Sequence, residues 1–202
     1  MKDNLITDED IFNILKPETD LEFKLIQQPV LKMGLLWGEP RYGHPEGRVL
    51  FHIPEIFDNI DNVLPPLSIG DRQRLRLITL LHDSFKYTED KSDPRDWTRH
   101  HSILARQFAE QFIDDERILE IIELHDEAYY CWRLSALIHD EGRSAIKFQA
   151  LMARIYPFLQ LYYVFFKCDT ATGDKTQAPV KWFERKVAGL EIISFRRDLG
   201  KL

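Results

Sequence analysis

Cysteine is scarce in this chain, with Cys131 and Cys168 the only two. That number and spacing exclude a disulfide framework and a cysteine-built zinc finger. Positive charge is also in short supply, because the formal net charge is −6. An extended nucleic-acid surface needs a basic face and is therefore not expected, whereas a small phosphorylated ligand held by a few local cations remains open. Long apolar runs are missing as well. The longest, around Phe158 to Phe166, is broken by Gln160 and is too short to span a bilayer. The N-terminus is acidic and lacks the apolar core of a secretory signal. A cytoplasmic protein with no membrane partner is the expectation. No segment alternates like a strand, no fixed-period repeat occurs, and no linker divides the chain. A length of 202 residues suits one domain with a substantial core. The expected fold is all-α, a single-domain helical bundle over residues 1–202.

Helical periodicity and capping chemistry carry that expectation. Thr7 with Asp8, Glu9 and Asp10 reads as a helix start, and Pro17 as its stop. A second short helix is expected over Leu21 to Ile26, ending before Pro29, and a glycine- and proline-rich loop from Gly34 to Gly47. Leu50, Ile53, Phe57 and Ile60 recur at helical spacing, with Pro54 in their midst. Either the helix carries that proline at the cost of the Leu50 carbonyl's amide partner, or it begins only near Ile53. Asp71 is read as the cap of the next helix, which runs towards Phe85. Further helices are expected from about Trp97 to Phe112, Ile118 to Leu124, Tyr129 to Ile138, Ser144 to Cys168 with an interruption at Pro157, and Trp182 to Leu190. Pro179 suits a first helical turn, and the tail through Arg196 and Arg197 carries no assignable pattern. Tyr162, Tyr163, Phe165 and Phe166 read most simply as core packing, with base stacking by one tyrosine as the alternative, and Trp37, Trp97 and Trp132 are read the same way.

The chemistry sits where Leu77-Ile78-Thr79-Leu80-Leu81 runs into His82-Asp83, with Lys86 three residues on. An imidazole and a carboxylate at the end of an apolar run need a partner, and a divalent cation is one that both ligate. Seven histidines occur, His44, His52, His82, His100, His101, His125 and His139, several beside apolar helical runs. A helical bundle would draw ligands for a buried site from such positions.

A histidine at 52, the pair His82-Asp83, later histidines at 101 and 125, and Asp169 resemble the HD-domain superfamily of metal-dependent phosphohydrolases. His82-Asp83-Ser84-Phe85-Lys86 is similar to the family's HD-x-x-K string. Gly43-His44-Pro45-Glu46-Gly47-Arg48-Val49, followed by His52, resembles the entry to the first metal-binding helix, as in HD domains attached to bacterial tRNA nucleotidyltransferases. The resemblance covers roughly residues 43–170. His100 and His101 compete for one place. His101 is preferred because Ala105 supplies a small residue four positions later, which leaves His100 at the surface or behind the ligands. Ala136-Leu137-Ile138-His139-Asp140 also looks like an HD motif, but no two further histidines follow it before Asp169. Asp126 and Asp174 read as a helix-end and a loop carboxylate, either of which could replace a misassigned ligand.

The resemblance implies two divalent transition ions, with Mn, Fe, Co, Ni, Zn and Mg not distinguished. Asp83 would bridge them, His52, His82 and Asp169 would complete one site, and His101 and His125 would serve the other. The implied activity is hydrolysis of a phosphoester or phosphoanhydride in a nucleotide or related small phosphate compound. The histidine spacing is similar to that of HD hydrolases acting on dinucleoside polyphosphates. Lys86 either contacts phosphate or pairs with a nearby acid. His44 is a candidate substrate contact from its loop. Arg48, four residues before His52, would share a face with it on a continuous helix and is a candidate phosphate clamp, or else a solvated arginine. A di-iron oxygenase of the same fold and a non-catalytic nucleotide-sensing domain are the alternatives. Oligomeric state is not readable.

Overall fold

In the computed structural model, which describes residues 6–198, the chain is a bundle of helices with one very small sheet. Three short N-terminal helices, α1 (Asp8–Leu15), α2 (Asp20–Ile26) and α3 (Pro29–Leu35), precede a loop and α4 (Val49–Asp61). Then come β1 (Val63–Leu64), α5 (Ile69–Leu81), α6 (His101–Ala109), α7 (Glu116–Leu124) and α8 (Glu127–Ala136). The chain continues through α9 (Glu141–Ile155), α10 (Leu159–Thr170), α11 (Ala178–Lys186) and β2 (Ser194–Phe195).

Local chemistry accounts for most boundaries. Thr7 forms a reciprocal capping box with Asp10. The cap of α5 is Ser68, not Asp71, whose amide donates to the Ser68 hydroxyl from inside the first turn. Pro54 lies within α4, so the helix carries the proline rather than beginning after it. Pro29 starts α3 rather than merely ending α2, because proline at a first helical turn gives up no intrahelical bond. The expected helix over Trp97 to Phe112 is divided. Trp97–Arg99 is a single 3-10 turn, His100 is extended, and its ring accepts from the Ser102 amide as the cap of α6. Asp140, not Ser144, caps α9, and a 3-10 turn at Tyr156–Phe158 separates α9 from α10. The tail through Phe195 pairs antiparallel with β1, Val63 opposite Phe195. Two-residue strands have no period to read, so the sequence could not announce them.

The core is one continuous apolar cluster. At its centre α5 packs against α4, α7 and α10, and α4 against α10, while α6 packs on α7 and α9 on α8. Leu50 and Ile53 from α4, Leu75, Ile78 and Leu81 from α5, Ile121 and Ile122 from α7, and Tyr162, Tyr163 and Phe165 from α10 are all fully buried. Tyr162 resolves its polar end by donating to the Leu124 carbonyl at 2.9 Å. Trp132 joins the core, whereas Trp97 is 60% exposed, contrary to the core position expected for it. Arg76 is buried against Glu22 at 2.9 Å and lies over the Phe57 ring, fastening α2 to α5. No described helix is long and apolar enough to cross a membrane.

Candidate metal centre

Helix ends converge at the site. His82 and His125 are the C-caps of α5 and α7, His101 is the first residue of α6, Asp169 lies in the last turn of α10, and His52 is in α4. Three C-termini therefore point their carbonyl ends at one region, a field that favours a cation. C-cap position also orients two of the rings. The His82 Nδ1 sits 2.9 Å from the Thr79 carbonyl and the His125 Nδ1 2.8 Å from that of Ile122, carbonyls of the last helical turn. Each ring thus donates from Nδ1 and presents Nε2 beyond the helix end.

His52 and His101 are oriented alike by carboxylates. Glu89 Oε1 lies 3.0 Å from His101 Nδ1, and Glu46 Oε1 lies 3.1 Å from His52 Nδ1, though off the line of a hydrogen bond. Every one of these four histidines consequently turns Nε2 inward. There the His52 nitrogen meets Asp169 Oδ1 at 2.9 Å, and the His101 and His125 nitrogens lie 3.2 Å apart. Asp83 is at the centre: its Oδ2 is 3.5 Å from His82 Nε2, and its Oδ1 is 3.4 Å from His125 Nε2 and 3.6 Å from His101 Nε2. Asp83 belongs to two groups with metal-ligand spacing, one with His52 and His82 and one with His101 and His125.

The donor set fits a divalent cation. His82 Nε2 and Asp83 Oδ1 are buried polar atoms with no hydrogen-bond partner, a costly arrangement that a shared cation would relieve. Neutral imidazole and carboxylate are suitable ligands, and an acceptor behind each imidazole is the usual support for a ligating ring. Burial holds His82 down at about 3, so it is neutral at ordinary pH despite Asp83. Burial lowers His125 too, but the Asp126 and Asp83 carboxylates outweigh it and lift the ring to about 9, so a metal taken up at its Nε2 would displace a proton. Burial opposes ionisation of Asp83, yet the Lys86 ammonium beside it brings the carboxyl well below the ordinary carboxylate range. Glu46 and Glu89 are each held at about 2, where bonds from neighbouring histidines override burial.

The remaining expected residues divide. Lys86 donates to Asp83 Oδ2 at 2.6 Å and also faces a cleft of about 340 Å³. His44 lines the same cleft and is bonded to Glu46 at 2.9 Å. Arg48 does not line it. The residue is the extended N-cap of α4, not a member of the helix, so its side chain does not share a helical face with His52. His100 is buried rather than at the surface, with Nδ1 2.8 Å from the Ser102 hydroxyl. The second HD pair is a helix start: Asp140 accepts from the Arg143 amide at 2.9 Å, and exposed His139 has φ 59 in the preceding turn. Asp126 lies 3.4 Å from His101 Nε2 and also lines the cleft. Asp174 anchors one loop to another by accepting from the Gly43 amide at 2.6 Å.

Arg41, Lys175 and Tyr129 line the cleft and were not singled out in the sequence, nor were Glu46 and Glu89 as supports for His52 and His101. Isolated charged residues in loops carry no period or motif. Glu46 alone had a signal, its place in the Gly43–Val49 segment.

The family model of the HD domain matches residues 41–131 of this chain. No curated protein and no solved structure matches it. The matched residues span α4 to the first turns of α8 and include His52, His82, Asp83, His101 and His125, while Asp169 lies beyond them. The match over residues 41–131 is consistent with the HD-domain superfamily, a family that consists in general of metal-dependent phosphohydrolases.

Proposed function

We propose that this protein is a metal-dependent phosphohydrolase that cleaves a phosphoester or phosphoanhydride bond of a nucleotide or related small phosphate compound. The observation that carries this reading is the position of Asp83 between two histidine groups, one carboxylate shared by both. A pair of divalent ions supplies charge neutralisation at a phosphoryl group and an acidified water. His52, His82 and Asp169 would hold one ion, His101 and His125 the other, with Asp83 between them. Glu89 and the Thr79 and Ile122 carbonyls favour Nδ1 as the donor in His101, His82 and His125, which turns Nε2 towards the ions, and the Glu46 carboxylate stands 3.1 Å behind His52 Nδ1. Lys86 stands beside Asp83 at the cleft floor, where its ammonium favours a phosphoryl oxygen. Arg41 adds positive charge in the same cleft, and Tyr129 and Phe166 add aromatic surface to its lining.

Metal analysis of the purified protein, followed by a phosphate-release screen across nucleotides with Mn²⁺, tests the proposal. About two equivalents of metal and phosphate release from at least one nucleotide are expected. Bound iron with oxygen consumption and no phosphate release would move the assignment to the oxygenase chemistry of the same fold. Nucleotide binding without turnover would move it to a sensor.

A further inference from the structure

The loop that follows α10 puts a lysine where a metal ligand and a substrate anion would meet. Lys175 Nζ donates to Asp169 Oδ1 at 2.8 Å and to the Asp169 carbonyl at 3.2 Å. The same Oδ1 lies 2.9 Å from His52 Nε2. Lys175 also lines the cleft with Lys86 and Arg41. It falls outside the residues matched to the HD family, so nothing in that match assigns it a part.

The backbone around Lys175 is well tied. Gln177 Nε2 donates to the Thr170 carbonyl at 2.7 Å and the Lys175 carbonyl at 3.2 Å, and Asp174 is bonded to the Gly43 amide across the cleft mouth. Gly173 is packed so closely that an added Cβ would lie 2.9 Å from Pro45 Cδ. The Cα of Lys175 is thus fixed, while its four-carbon stem can redirect the ammonium. An ammonium and a divalent ion compete for one carboxylate oxygen, and an ammonium displaced from it has the cleft before it.

We propose that Lys175 is a substrate-binding residue that exchanges between Asp169 and the phosphate of the substrate: it competes with the metal for Asp169 Oδ1 and, when the metal holds that oxygen, binds the anion in the cleft. The inference rests on the assignment of Asp169 as a metal ligand. It makes Lys175 couple the two occupants, because the ion that takes Asp169 releases the charge that holds phosphate.

The test compares the parent chain with Lys175→Met and Lys175→Arg, using Mn²⁺ alone and then inorganic phosphate on the Mn²⁺-loaded protein, both by titration calorimetry. Lys175→Met should tighten the weaker Mn²⁺ step by at least about threefold, from loss of the competing ion pair. It should weaken phosphate binding about tenfold, from loss of a charge-assisted contact. Lys175→Arg should restore phosphate binding to within about threefold of the parent. Opposite shifts separate this role from a structural one, since a loosened loop would weaken both. Lys175→Met that weakens Mn²⁺ binding, or leaves phosphate affinity unchanged, overturns the proposal alone. A parent chain that takes up no Mn²⁺ overturns the metal assignment and this inference together.

Discussion

Asp83 and Asp140 follow histidines in similar strings, but their surroundings give them opposite weight. Asp83 is buried among His82, His101 and His125 and paired with Lys86, whereas Asp140 is a half-buried cap at the start of α9. Asp83→Asn removes charge from both proposed metal groups with little change in volume. Hydrolysis should fall at least about a hundredfold, with metal content falling in parallel. The fold should persist, because Lys86 already borders the cleft and can turn towards it. Asp140→Ala should instead leave turnover and metal content near the parent's and lower stability by about 1 kcal/mol through the lost cap. Steady-state assay, metal analysis and urea denaturation of both variants check this. The reverse pattern would place the chemistry at His139-Asp140.

The elements are held in register by a few contacts that give measurable handles. Helix α3 approaches the turn after α5 so closely that a Cβ on Gly34 would stand 1.6 Å from the Ser84 carbonyl oxygen. That carbonyl is one residue from Asp83, so Gly34→Ala should push α3 away or shift the His82–Asp83 turn. A loss of about 3 kcal/mol is expected, at the upper end of overpacking costs. An unchanged denaturation midpoint would show that α3 repositions freely. Between α5 and α7, Asp115 accepts from Arg74 Nε at 2.8 Å and Arg117 Nη2 at 2.7 Å. The Arg117 bond lowers its carboxyl to about 2, with burial opposing and Arg74 assisting. The folded value lies below the unfolded one of about 3.9, so the unfolded chain takes up the proton first as pH falls. The contribution is complete above about pH 4, and it is lost as pH drops through about 2. Asp115→Asn keeps a cap acceptor but not the charge. It should cost up to about 1 kcal/mol at neutral pH and progressively less under acid conditions, read from denaturation at a series of pH values. A penalty independent of pH would assign the effect to capping alone.

For the molecule as a whole, the cleft gathers charge of both signs, three carboxylates beside Arg41, Lys86 and Lys175. Asp83, Asp126 and Asp169 all border it, and a cation bound among them would stabilise only the folded chain. Mn²⁺ at about a hundredfold excess over its Kd should add about 2.7 kcal/mol. For a chain of this size that corresponds to a rise in Tm of about 5–10 °C. Scanning calorimetry with Mn²⁺, then with excess chelator, measures it. The rise should reverse on chelation and be small in Asp83→Asn. A Tm insensitive to Mn²⁺ would exclude a site that couples metal binding to folding.

Helix class and most helix positions were determined by the sequence alone, because periodicity and caps are local. Thr7 with Asp10, Asp115 before α7 and Pro179 in the first turn of α11 act within a few residues of themselves. The order of His52, His82, Asp83, His101, His125 and Asp169 was legible for the same reason, as motif pieces along the chain. Other features were settled only by tertiary structure. Periodicity does not distinguish His82-Asp83 from His139-Asp140. The histidines that follow only the first pair favour it in the sequence, and the physical difference is that α5 ends inside the bundle whereas α9 begins at its surface. Nor could periodicity reveal that Glu89 orients His101, that α3 begins at Pro29 against the back of the site, or that Lys175 reaches Asp169. Each of these depends on packing between elements, and hydrophobic spacing specifies only which face is buried, not which neighbour covers it.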